Sequence, residues 1–267
     1  VKKVRLDILL IEKKLIDSRN MAQRMIMAGD IRVNGEMVIK PSQLVSEESQ
    51  IDIKQAPPFV SRGGEKLEAA LNAFGMTNLN GSVCADVGAS TGGFTDCLLK
   101  HGAIRVYAID VGHGELHWKL RNDPRVISLE KTNARYMIAL KEYVDLVTID
   151  ASFISLKTLM PVVKNWLKET GQIIALIKPQ FEAGRSETAK GGGVIRDTEV
   201  HRKVLSDVLT YAKNLGFKVS GLIQSPLLGP KGNKEFLVHL IPGEGGEEEI
   251  FPLIEKVFLE NSGENYV

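Results

Sequence analysis

The stretch Val83-Cys-Ala-Asp-Val-Gly-Ala-Ser-Thr-Gly-Gly-Phe-Thr-Asp96 reads as a buried strand, a glycine-rich turn and the start of a helix. Val83, Cys84, Ala85 and Val87 form an apolar run without helical period, as in a central strand of a parallel sheet. Gly88, Gly92 and Gly93 let the backbone turn sharply and pass close to a ligand, and Ser90 or Thr91 is expected to cap the helix. In open α/β sheets such a turn lies at the carboxyl edge, where ligands bind.

The spacing Asp-x-Gly-x-x-x-Gly-Gly is not the dinucleotide pattern Gly-x-Gly-x-x-Gly, and no Gly-Lys-Ser/Thr of a nucleoside-triphosphate loop is present. A second strand, Val106-Tyr-Ala-Ile-Asp110, ends in a carboxylate 22 positions after Gly88. A carboxylate there suits the two hydroxyls of a ribose. Together these point to an adenosine-bearing cofactor without a pyrophosphate, and S-adenosylmethionine fits best. Its expected site is Asp86, Gly88, Ser90, Thr91, Gly92, Gly93, Phe94 and Asp110.

The chain has 267 residues, 43% hydrophobic and 25% charged, enough for one sizeable core and a small accessory domain. Cys84 and Cys97 fall in a core strand and helix, so no disulfide framework is indicated. No apolar run approaches the ~20 residues of a membrane helix, and the basic N-terminus has no apolar segment behind it. A soluble cytoplasmic protein is expected, with no membrane or metal partner. Net charge is only +1, but residues 1–46 hold nine Lys/Arg against five Asp/Glu, while 242–267 hold one Lys against seven Glu. The basic remainder permits a polyanionic partner.

Residues 1–54 read as a separate small α+β domain. Leu6, Leu9 and Leu10 give one helix its apolar stripe, Ser18 caps a second over 19–28, and Gly29 stops it. Asn34-Gly35 marks a hairpin within Ile31–Val38. The run Arg5-Leu-Asp, Ser18-Arg19, Ala22-Gln-Arg24, Ile26, Ala28-Gly29, Val33-Asn-Gly35 and Lys40-Pro41-Ser42 resembles the RNA-binding domain of the ribosomal protein S-four type. The resemblance implies a basic surface for structured RNA. Arg5, Arg19, Arg24, Arg32 and Lys40, with Arg62 beyond the linker, are its expected RNA contacts.

Residues 55–60 form a proline-stiffened linker, and 61–241 the main domain. Its first helix places Leu67, Ala70, Leu71 and Phe74 on one face and ends at Gly75. Further strands are expected near Val126–Leu129, Val144–Ile149, Gln172–Ile177, Lys218–Gln224 and Glu235–Leu240. The clearest helices are Ser155–Trp166 and Thr198–Leu215. Seven strands with a helix before the first match a class I, Rossmann-like methyltransferase. Lys190–Asp197 is a glycine-rich loop, a lid or a mobile connection. The acidic tail, 242–267, is expected to be helical in part and has no assigned role.

Asp150, Lys178 and Glu235 sit where sheet strands release their side chains, and Lys66 in the early helix can approach the same edge. Moving a methyl from a sulfonium to a ribose 2′-hydroxyl needs in-line geometry and help with a poorly acidic proton. A neutral lysine can accept that proton. Lys178 is therefore the expected general base, oriented by Asp150 and Glu235, with Lys66 steering the hydroxyl.

The set Lys66, Asp150, Lys178 and Glu235 resembles the Lys-Asp-Lys-Glu tetrad of FtsJ-like 2′-O-ribose methyltransferases. Ser61–Leu67, Asp86–Phe94, Ile149–Phe153, Lys178–Glu182, Lys190-Gly-Gly and Gly232–Phe236 look like the TlyA/hemolysin-A family, whose pattern Gly193 departs from. The resemblance implies cytidine 2′-O-methylation of ribosomal RNA in a ribosomal subunit or its precursor. Three other readings fit the sequence less well. A membrane-active hemolysin lacks a spanning segment or strong basic amphipathic helix. A base amino-methyltransferase usually carries Asn/Asp-Pro-Pro-Tyr/Phe, where this chain has Asp150-Ala-Ser-Phe153. A non-catalytic RNA-binding protein conflicts with the intact tetrad and glycine turn.

Overall fold

The computed structural model describes residues 3–16, 18–54, 57–184, 187–188, 191–246 and 250–260. The chain divides into two compact units, one up to Pro58 and one from Phe59 onward.

The first unit comprises β1 (Lys3–Arg5), α1 (Leu6–Glu12), α2 (Arg19–Met27), β2 (Ile31–Val33), β3 (Glu36–Met37), β4 (Leu44–Ser46) and β5 (Ile51–Ile53). Ser18 caps α2 by accepting from Met21 N at 3.3 Å. Asn34 and Gly35 have φ of 52° and 83°, the paired left-handed residues that a tight hairpin between twisted strands requires. β2 pairs antiparallel with β3 and β5, and β1 with β4. Leu6, Leu9 and Leu10 of α1 meet Ala22 and Ile26 of α2 and Ile31 of β2 in the core. Strands β1, β4 and β5 have three residues each, too few to betray themselves by alternation.

The second unit is built on a seven-stranded sheet: β6 (Val83–Val87), β7 (Arg105–Ile109), β8 (Val126–Leu129), β9 (Val144–Ile149), β10 (Leu167–Ile177), β11 (Phe217–Gln224) and β12 (Phe236–Pro242). Its spatial order is β11-β12-β10-β9-β6-β7-β8, with β12 antiparallel to both neighbours. The helices are α3 (Gly63–Ala73), α4 (Gly93–Lys100), α5 (Trp118–Arg121), α6 (Leu156–Lys164), α7 (Pro179–Glu182), α8 (Thr198–Asn214) and α9 (Ile250–Glu260). Val83, Ala85 and Val87 of β6 face a core shared with α6, α8 and α9, whereas Cys84 faces α3 and α4. Burial on both faces is why these strands read as unbroken apolar runs. Both cysteines are buried free thiols.

The helix cap differs from the expected one, and the acidic stretch is helical in part as expected. Helix α4 is capped by Gly92 at φ 94°, without any side-chain cap. Ser90 Oγ is directed instead to Glu115 Oε2, 3.1 Å away, and the Thr91 carbonyl accepts from His117 N. Part of the acidic C-terminal stretch is structural, since α9 buries Ile250, Ile254 and Val257 in the sheet's core. Of the glycine-rich loop, Lys190 lies outside the described residues, while Val194 and Ile195 are buried.

Candidate active site

Asp150 follows β9 and Lys178 follows β10, so neighbouring parallel strands release them at the same edge. Lys178 Nζ lies 2.6 Å from Asp150 Oδ1 and donates to Ser152 Oγ at 3.1 Å. Lys66 of α3 forms a second pair, its Nζ 2.6 Å from Glu235 Oε2. Glu235 sits just before β12, and its side chain is fully buried. Gln180, two residues past Lys178, donates to the other Glu235 oxygen at 3.4 Å and so joins the pairs. All four tetrad residues thus gather at one place, with a corrected pairing. Glu235 holds Lys66 and Gln180, and Asp150 is the carboxylate at Lys178.

The glycine turn packs onto this arrangement. A Cβ on Gly88, whose φ is +86°, would lie 2.6 Å from the Asp150 carbonyl oxygen. Beside it is a cavity of about 370 Å³ lined by Gly88, Ser90, Asp110 and Asp150. Asp110 accepts from Ser90 N and Gly112 N, both at 2.7 Å, which fixes the carboxylate. The lining thus combines the glycine turn, the held Asp110 carboxylate, which can accept from a diol, and Asp150 of the tetrad. These features fit S-adenosylmethionine, whose size is typical of such pockets.

Several expected cofactor residues do not line the cavity. Asp86 is completely buried in β6, where it accepts from Thr95 Oγ1 at 2.7 Å and Thr148 Oγ1 at 3.1 Å. Burial pushes its carboxyl up to about 7. Its place is beneath the turn, as a strut. Gly92 faces Leu116 and Leu120, Gly93 faces Ser61 and Gly64, Phe94 is core, and Thr91 is exposed. These residues shape the turn from behind. Conversely, Val111, Glu115, Thr132 and Asn133 line the cavity and were missed. Thr132 and Asn133 follow β8, and their position past a strand's carboxyl end was the available signal.

Phe153 was also missed. It is 90% exposed at φ 63° and meets Phe181 with ring centroids 5.0 Å apart, while Lys178 Nζ stands 5.9 Å from the Phe181 centroid. An exposed aromatic in strained backbone beside a buried lysine is a functional signal that composition alone does not carry.

In the first unit, Arg24, Arg32 and Lys40 are exposed, and Arg32 donates to the Gly35 carbonyl. Arg5 and Arg19 converge on Asp7, a fully buried carboxylate that also accepts from Gln23 Nε2. The Arg5 guanidinium above all, with Gln23 and Arg19, holds Asp7 well below the usual carboxylate range. Arg62 is exposed at the start of α3 in the second unit.

Residues 59–241 match the model of the FtsJ-like methyltransferases. The chain belongs to that family. Residues 4–51 match the S4 domain. As an FtsJ-like methyltransferase it is an enzyme whose cofactor is S-adenosylmethionine. It is 42% identical to the 16S/23S rRNA (cytidine-2′-O)-methyltransferase TlyA of Mycobacterium tuberculosis over 243 residues, 90% of each chain. It is 43% identical to hemolysin A of Brachyspira hyodysenteriae over 241 residues, 89% of this chain and all of that one. A solved structure of a candidate hemolysin from Streptococcus thermophilus superposes with a TM-score of 0.70 at 40% identity, covering 98% of this chain and 99% of that one. Among the described residues, no helix of this FtsJ-like enzyme is long and apolar enough to cross a membrane.

Proposed function

We propose that this methyltransferase acts in the cytoplasm on ribosomal RNA, within a ribosomal subunit or its precursor, methylating the ribose 2′-hydroxyl of a cytidine. The observation that carries the reading is the joined pair of lysine–carboxylate contacts, Lys178–Asp150 and Lys66–Glu235, with Asp150 itself lining the cofactor cavity. The names of the relatives support the substrate class.

The bound cofactor supplies an electrophilic methyl group. Around it, Gly88, Ser90 and Asp110 set where the adenosyl part lies, and the tetrad sets where the hydroxyl lies. Lys66, anchored by Glu235, donates to the incoming ribose and holds the 2′-oxygen in line. As that oxygen bonds to the methyl carbon and the carbon–sulfur bond breaks, leaving a neutral thioether, its proton would pass to Lys178 in its neutral amine form, which Asp150 and Ser152 keep aimed. Alignment supplies much of the rate, and base catalysis about 10²–10⁴-fold. Phe153 offers a π-face on which the target base can stack once out of its helix. Arg24, Arg32 and Lys40, with Arg5 and Arg19 oriented by Asp7, hold the RNA by its phosphates, and Arg62 adds a contact on the catalytic unit.

The test is methyl transfer from labelled S-adenosylmethionine to ribosomal subunits and their precursors by wild type and Lys178→Ala. Label on a ribose 2′-oxygen, lost in the variant, is the expected result. Label on a base, or full activity without Lys178, would sink the assignment.

A further inference from the structure

Away from the cofactor cavity and tetrad, three side chains with ligating atoms converge where α3 packs against α4. Cys97 and His101 stand four positions apart at the end of α4, so they project to the same side. Glu68 reaches them from α3. Its Oε2 is 2.6 Å from His101 Nε2 and 3.5 Å from Cys97 Sγ, and the three ligand atoms all lie within 4.8 Å of one another.

The imidazole's other nitrogen decides what this means. His101 Nδ1 lies 2.8 Å from the Thr77 carbonyl oxygen, which can only accept, so the ring keeps a proton at Nδ1. Nε2 of the neutral ring therefore turns a lone pair toward a carboxylate oxygen. Two electron-rich atoms this close need a positive charge between them, either a second proton or a metal cation. The buried Cys97 thiol beside them adds a soft donor that a simple ion pair would not need.

The geometry points to Glu68, Cys97 and His101 as a binding site for a thiophilic divalent cation of the zinc type, clamping α3 to α4. Tetrahedral zinc with bonds of roughly 2.0–2.1 Å to nitrogen and oxygen and 2.3 Å to sulfur sets ligand separations near roughly 3.3–3.6 Å. The observed 3.5 Å between Oε2 and Sγ already matches, while the 2.6 Å Nε2–Oε2 contact has to open. Glu68 can move, because its side chain is 38% exposed, and the same opening admits the ion and leaves a position for water. The Thr77 carbonyl behind Nδ1 is the outer partner that fixes a ligating imidazole. The cation displaces two protons, one from Cys97 and one from between Glu68 and His101, so binding weakens in acid. α3 also carries Lys66, and α4 grows from the Gly92-Gly93 turn. The clamp thus holds a tetrad helix against the cofactor turn.

The experiment titrates the untagged full chain with Co²⁺, then with Zn²⁺. One equivalent of cobalt with a near-ultraviolet thiolate-to-cobalt band, displaced by zinc, is expected, together with a rise in Tm on adding zinc. Cys97→Ser should abolish the band. Glu68→Gln, on the exposed side, should lose the zinc-induced rise in Tm measured against its own metal-free value. No cobalt uptake by wild type overturns the proposal, as does a band that persists in Cys97→Ser. So does a proton still detected by NMR on His101 Nε2 in excess zinc, which would leave an imidazolium–carboxylate pair only.

Discussion

Lys66 Nζ and Glu235 Oε2 lie 2.6 Å apart although 169 positions separate them in the chain. The contact ties the helix before the first sheet strand to the mouth of the last. Glu235→Gln leaves Lys66, which is only 12% exposed, without its counter-charge, at a cost of about 3–5 kcal/mol. Activity should fall by about 10²-fold, as for a displaced positioning group. Denaturant unfolding and methyl transfer at saturating cofactor measure the two effects. The double variant Lys66→Met/Glu235→Leu should recover stability without activity, which separates structural support from a role in the reaction.

Asn233 couples the glycine-rich loop to the same carboxylate. Its Oδ1 accepts from Ile195 N at 3.0 Å, and its Nδ2 donates to the Gly193 carbonyl at 3.0 Å and the Pro230 carbonyl at 3.1 Å. The residue is 3% exposed, two positions before Glu235. Asn233→Ala leaves the buried Ile195 N–H without its acceptor, removes the donor to the Gly193 carbonyl, and so loosens the loop. It should lower kcat more than it raises the KM for S-adenosylmethionine, because the cofactor cavity lies elsewhere. Equal effects on both constants would contradict this coupling.

Asp7 should act on RNA without touching it. Asp7→Asn adds a net positive charge to the first unit, which alone would strengthen binding to a polyanion. If the fixed directions of Arg5 and Arg19 matter more, affinity for ribosomal RNA falls. That fall is the expected result, read by titration at two salt concentrations. The lowered carboxyl of Asp7 contributes stability above the ordinary carboxylate range, lost as pH drops through its depressed value. The variant should show a smaller acid-induced loss in the first unit.

His239 should contribute to the acid limb of the second unit's stability. It stacks on Phe74 at 5.3 Å, contacts Gln172 Oε1 at 2.6 Å, and burial lowers its pKa to about 4. The unfolded chain takes up a proton near pH ~6.5 that the folded chain refuses until about 4. Stability should therefore be full above that window and fall across it as pH drops, by up to about 3 kcal/mol. His239→Gln should flatten this limb in urea unfolding measured from pH 4 to 7. An unchanged slope would exclude His239 as its source.

The glycine turn and the alternation of strands and helices were legible because their signals are local. An apolar run, a capping serine and Asn-Gly between short strands each act over a few residues. Thus β6, β9 and α8 lie within a residue of the positions read from the sequence. The three-residue strands β1, β4 and β5 were not legible, since their pairing partners rather than their own pattern make them strands.

The amino-acid sequence by itself singled out the residues proposed to bear the chemistry: two lysines and two carboxylates at strand ends and a helix, beside a glycine turn after an apolar strand. Only the tertiary structure decided which lysine each carboxylate holds. It also decided that Asp86 is a strut and that Thr132 and Asn133 join the cavity. The physical reason is that a sheet's register brings residues from distant strands to one edge, and ion pairs form by distance in space, to which separation along the chain is no guide.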